Sequence, residues 1–127
     1  MGKITTHVLD TSHGVPGRGI AVALYRLDKA GARQEITHTH TNHDGRCDAP
    51  LCEGSALVAG IYELDFAVGE YYDKFAGQND GGTQKPDAAK IPFLDRVTLR
   101  FGVGDAAAHY HVPLLVTPWS YSTYRGS

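Results

Sequence analysis

The feature that most constrains this chain is a repeated change of rhythm. Short runs rich in Val, Ile, Thr and Tyr are each closed by a glycine-bearing turn. Fifteen glycines in 127 residues fall between such runs. Side chains that alternate with a period of two belong to strands. Ile4 to Leu9 is the first run, with Ile4, Thr6 and Val8 on one face and Thr5, His7 and Leu9 on the other. A turn cluster, His13-Gly14-Val15-Pro16-Gly17, ends it. Ile20 to Leu27 puts Ile20, Val22 and Leu24 against Ala21, Ala23 and Tyr25, apolar enough on both faces for burial on two sides. Glu35 to Asn42, Gly60 to Ala67 and Asp95 to Phe101 follow, the last with Val97, Leu99 and Phe101 inward. Glu70 to Ala76 is the one short helix, and Asn79 to Lys90 is polar, Gly-rich loop. Seven or eight short strands with turns between them predict an all-β, antiparallel sandwich.

The final hairpin fixes a register. Proline favours the first corner of a turn and disfavours the second, which puts the turn at Pro118-Trp119 and pairs Thr117 with Ser120. Counting back, His111 faces Gly126, and Tyr124 falls on the diagonal. Diagonal neighbours on one face lie about 7–8 Å apart, within reach of long side chains. The chain end is therefore expected on the face of His111, with Tyr110, Val112, Leu114 and Val116 turned to the core.

A length of 127 residues fits one domain spanning 1–127. The net charge of -2 and the scattered Lys and Arg argue against nucleic acid as a partner. No apolar run approaches the ~20 residues of a membrane helix, and the first residues lack the apolar stretch of a secretory signal. A cytoplasmic protein without a membrane partner is the expectation. Cys47 and Cys52 do not have zinc-ribbon spacing and read as reduced thiols.

Seven histidines are the chemical signal, because histidine moves protons near neutral pH. Taken singly they are bland. A lone strand histidine such as His7 is usually structural or solvated. His38 and His40 share a strand face and a His-x-His pair can bind metal, but no third ligand has a recognisable spacing, so a solvated face is the simpler reading. Arg46 follows the tight turn Asp44-Gly45. A guanidinium there is either exposed surface or a forked partner for an oxyanion or a planar imide edge. No nucleophile elbow or phosphate loop occurs.

Three stretches change those readings together: Ile4-Thr5-Thr6-His7-Val8-Leu9-Asp10, then Asp44-Gly45-Arg46, then His109-Tyr110-His111-Val112-Pro113-Leu114-Leu115 running into Ser120-Tyr121-Ser122-Thr123-Tyr124-Arg125-Gly126-Ser127. With Gly60-Ile61-Tyr62-Glu63 they resemble the transthyretin-related 5-hydroxyisourate hydrolases over nearly the whole chain. The terminal tetrapeptide is the most discriminating part. The resemblance implies a transthyretin-like, eight-stranded antiparallel β-sandwich with one short helix. It implies a homotetramer, a dimer of dimers, with sites in the channel between dimers. It implies a small purine-derived substrate, no cofactor and no metal. It assigns His7, Arg46, His111 and Ser127 to catalysis, and His7, Arg46, Tyr124 and Arg125 to substrate binding. This sequence departs from the family's pattern at Val116-Thr117 and Trp119, beside the hairpin corner.

The implied reaction adds water to a ring carbonyl and breaks the adjacent C–N bond. His7 and His111 would take the proton, Arg46 would hold the carbonyl oxygen, and Tyr124 and Ser127 would orient substrate or water. Two rivals remain at this level: a transthyretin-like carrier of small ligands in the same channel, and a metal-binding module built on the histidine-rich strands.

Overall fold

The first strand follows directly from its alternation. In the computed structural model, which describes residues 1–76 and 91–127, β1 (Lys3–Asp10) buries Ile4, Thr6, Val8 and Asp10 and leaves Lys3, Thr5, His7 and Leu9 half-covered. Then come β2 (Val15–Pro16), β3 (Ala21–Leu27), β4 (Arg33–His40), β5 (Cys52–Glu53), a 3₁₀ turn at Gly54–Ala56 and β6 (Gly60–Phe66). The helix α1 (Val68–Ala76), β7 (Val97–Val103), β8 (His109–Val116) and β9 (Tyr121–Thr123) complete the fold. The loop expected over Asn79 to Lys90 lies outside the described residues.

Two sheets face each other, as expected for an all-β sandwich with one helix. One runs β2-β1-β8-β9, with β5 also on β1; the other runs β4-β3-β6-β7. Their inner faces share a core of Ile4, Val8, Val22, Leu24, Tyr62, Leu64, Phe66, Val97, Leu114 and Val116, each 2% exposed or less. Burying side chains of this kind gives about 1.5–3 kcal/mol each before entropy is counted.

Three differences from the sequence reading have physical causes. β1 and β8 run parallel, Thr5 opposite His111 and His7 opposite Pro113, whereas the other strand pairings among the described residues are antiparallel. Alternation reports which face a residue takes, and it is blind to the direction of the neighbouring strand. The described residues hold nine strands, because the two-residue β2 and β5 are too short to show a period. In β3, only the face of Val22 and Leu24 is fully buried; Ala21, Ala23 and Tyr25 are half-covered, with the Arg33 guanidinium 3.7 Å from the Tyr25 ring centre. That outer face carries ions instead of a second core: Arg33 pairs with Glu63 and Asp65, and Arg100 with Glu63.

The helix is fastened to β1 through one buried carboxylate. Asp10, 1% exposed, accepts hydrogen bonds from the hydroxyls of Tyr71, Tyr72 and Ser12 and pairs with His13 Nδ1. Burial alone would raise its pKa, but hydrogen bonds from Tyr71, Ser12, Tyr72 and His13 bring it down from 3.8 to about 2. Those bonds reward the ionised form, so this link is complete above the ordinary carboxylate pKa and fails as pH falls through the lowered one.

Candidate active site

Four chain segments lie side by side on one sheet and carry the chemistry. Arg46 forms a lone bridge to His7 of β1, β1 pairs with β8, and His111 of β8 bridges to Gly126. The turn before Arg46 makes the first bridge possible. Gly45 has φ +77° and packs against the Val8 carbonyl, where a Cβ would collide. Asn42 Oδ1 accepts from the backbone N–H groups of Asp44 and Arg46, which sets the turn. The last bridge is the one that counting from Pro118-Trp119 gives: Thr117 N–H donates to Ser120 O, Val116 faces Tyr121 and Leu114 faces Thr123. The Gly126 N–H then donates to His111 O at 2.7 Å.

His7 and His111 sit on adjacent strands two residues out of step. Strand spacing and rise separate their Cα atoms by about 8 Å, so both rings can address one small molecule. Arg46, His109, His111 and Ser127 line a hollow of about 270 Å³ together with Thr5, Thr6 and residues 47–50. His7 stands beside this hollow, paired with Arg46, and is not among its lining residues.

The electrostatics favour neutral imidazoles. Burial and then the nearby Arg46 charge lower the His7 pKa, against the opposing pull of Asp44. Burial, Arg46, His109 and His7 lower that of His111. A neutral imidazole can accept a proton; an imidazolium cannot. His7 Nε2 lies 2.9 Å from the Asp44 carbonyl oxygen. A carbonyl only accepts, so Nε2 carries the hydrogen and the neutral ring keeps its lone pair on Nδ1.

Tyr124 and Arg125 go elsewhere. Tyr124, 61% exposed, borders a different, larger groove with Leu99, Phe101, Tyr110 and Val112. The regular ladder stops at Thr123, opposite Leu114. Pro113, next along β8, has no N–H to continue it, so diagonal counting overreached at Tyr124. The Arg125 guanidinium lies 4.3 Å from the Tyr110 ring centre and donates to the His109 carbonyl at 3.4 Å. It pins the chain end from the far side. His38, His40 and His43 are exposed and apart from the hollow. The residue that sequence reasoning passed over is Thr5. It was visible as a face-mate of His7, but its contacts depend on the parallel partner strand.

A two-sheet β-sandwich with two histidines and an arginine on one outer sheet face is a scaffold on which a proton acceptor and an oxyanion partner can meet. The profile of the HIUase/Transthyretin family matches residues 4–126. The chain is 62% identical to the 5-hydroxyisourate hydrolase of Ralstonia nicotianae, with 100% of each chain covered. The solved structure of Klebsiella pneumoniae 5-hydroxyisourate hydrolase is similar at TM-score 0.75 and 30% identity, again over 100% of both chains. The structure of an (S)-allantoin synthase is similar at TM-score 0.81 and 43% identity, covering 99% of this chain and 44% of that one. The chain belongs to the HIUase/Transthyretin family.

Proposed function

We propose that this chain is a 5-hydroxyisourate hydrolase acting in urate degradation, and that His7, Arg46 and His111 carry the reaction. The observation that supports this most is the row of adjacent segments that brings Arg46 to His7 and both beside His111. A carrier of apolar ligands has no use for two imidazoles biased to the neutral form beside a guanidinium.

The reaction is the addition of water to a ring carbonyl. One neutral histidine takes a proton from the water as its oxygen attacks; general-base help of this kind contributes roughly 10²–10⁴-fold. Negative charge builds on the carbonyl oxygen, and the Arg46 guanidinium offers forked donors to hold it. Collapse breaks the C–N bond, and the protonated histidine returns its proton to the leaving nitrogen. The product is 2-oxo-4-hydroxy-4-carboxy-5-ureidoimidazoline. The chain's own groups supply each proton transfer, so the reading needs no cofactor and no metal. Ser127 lines the hollow and is assigned to orienting water or substrate. The placement of Tyr124 and Arg125 speaks against direct substrate contact within one chain, and Arg125 is read as fixing the C-terminus.

The same reading includes one domain, a dimer of dimers and a cytoplasmic location. The edges of β7 and β9 flank the open groove bordered by Leu99, Phe101 and Tyr121. Unpaired edges beside apolar surface favour association with a second copy. Free Cys47 and Cys52 fit a reducing compartment. Ultraviolet decay of freshly generated 5-hydroxyisourate tests the activity: the protein should accelerate it far beyond the spontaneous rate, and an unchanged rate would refute the proposal.

A further inference from the structure

His109 is a histidine that the proposed chemistry does not use, and it stands on the face of His111. The parallel register sets Lys3 opposite His109 and Thr5 opposite His111. Thr5 therefore lies between two imidazoles. Its Oγ1 is 2.7 Å from His109 Nε2 and 2.8 Å from His111 Nδ1.

A threonine hydroxyl has one proton to give. It can donate to one ring at most, so at least one of the two facing nitrogens must carry a hydrogen and donate to it. In one arrangement His109 Nε2–H donates to Thr5, Thr5 donates to His111 Nδ1, and His111 carries its hydrogen on Nε2. In the other, His111 Nδ1–H donates to Thr5, and Thr5 either donates to His109 Nε2 or accepts from it as well. Among the described residues no hydrogen bond engages His111 Nε2, so it is the nitrogen free to meet water. It can act as a base only in the second arrangement. The exposed His109 can then keep its own hydrogen on Nδ1, toward solvent. His7 is set by the same logic, since the Asp44 carbonyl holds one nitrogen protonated and leaves the other as the base.

We propose that Thr5 and His109 are positioning residues that hold His111 as its Nδ1–H tautomer, so that Nε2 takes the proton from the attacking water. This rests on the reading of His111 as a base. The O–H bond of water breaks, its proton joins Nε2, and the Nδ1–H bond to Thr5 persists in the imidazolium. The Nε2 proton later passes to the leaving nitrogen, and the ring returns to its starting tautomer. Fixing the tautomer through the ring's second nitrogen is how an orienting group makes a histidine competent.

The test uses the whole protein with Thr5→Val, which keeps shape and suits a strand, and Thr5→Ser, which restores the hydroxyl. The ¹⁵N shifts of neutral His111 report its tautomer directly. Wild type and Thr5→Ser should show a protonated Nδ1. Thr5→Val should lose that preference, and its kcat should fall about tenfold or more, within the range of general-base catalysis, with KM little changed. His109→Ala should move kcat the same way by less. A wild-type His111 protonated on Nε2, or an unaffected Thr5→Val, would overturn the proposal; an unaffected His109→Ala would remove His109 from it. His111→Asn separates the layers. Full activity in that variant sinks the reading of His111 as a base, whereas loss there beside an unaffected Thr5→Val sinks only the tautomer lock.

Discussion

Each histidine of the site works through what its neighbours do to one proton. His7 and His111 both have pKa values lowered from 6.5, first by burial and then by Arg46. A lowered pKa keeps an imidazole neutral, and so able to act as a base, to a lower pH than free histidine. The acidic limb of the kcat/KM profile should therefore have its midpoint below 6.5. A midpoint at or above 6.5, measured in non-coordinating buffers, would mean that the burial and the arginine do not set the base. Substituting Arg46 with Lys keeps a charge but loses the fork. The residue scale was partly legible in the sequence. His7, Arg46 and His111 carried a family signature, but the hydrogen on His7 Nε2 depends on the Asp44 carbonyl 37 positions away. No local pattern encodes that contact.

Elements decide whether those residues meet. The hairpin at Pro118-Trp119 could be counted from turn chemistry, and its register reaches His111 and Gly126 as counted. Tyr124 could not be placed this way, because Pro113 interrupts the ladder between the two points. Gly126 is the contact on which this element depends. A Cβ there would lie 2.6 Å from His111 Cδ2, closer than real packing allows, and the ring is tied to Thr5 and cannot swing freely. Gly126→Ala should therefore cut kcat about tenfold or more while costing under about 1 kcal/mol of stability, since the chain end carries little core. Denaturant titration beside steady-state kinetics checks both halves. Equal losses of stability and rate would show the residue to be structural only. The parallel β1–β8 pairing is the step no local argument could reach, since strands distant in sequence choose partners by the packing of the whole.

At the scale of the molecule, one sheet buries its inner face in the core and offers its outer face to chemistry, while the outer face of the other carries ion pairs to the buried carboxylates of Glu63 and Asp65. All-β topology and the one α-helix among the described residues were legible because alternation and glycine punctuation recur along the chain. Assembly was not legible, since a self-complementary surface has no local pattern. The open groove by β7 and β9 predicts association; light scattering should give about 55 kDa, four times the chain's 13.7 kDa, and a monomeric mass would contradict the dimer of dimers. If His7, Arg46 and His111 form one hydrolytic site, none of the three can be spared. That requirement is tested most directly by the rate of 5-hydroxyisourate decay with His7→Asn, Arg46→Gln and His111→Asn, each with unchanged circular dichroism and mass. Each single change should lower kcat/KM by about 10² or more. A wild-type rate in any one of the three would contradict the shared site.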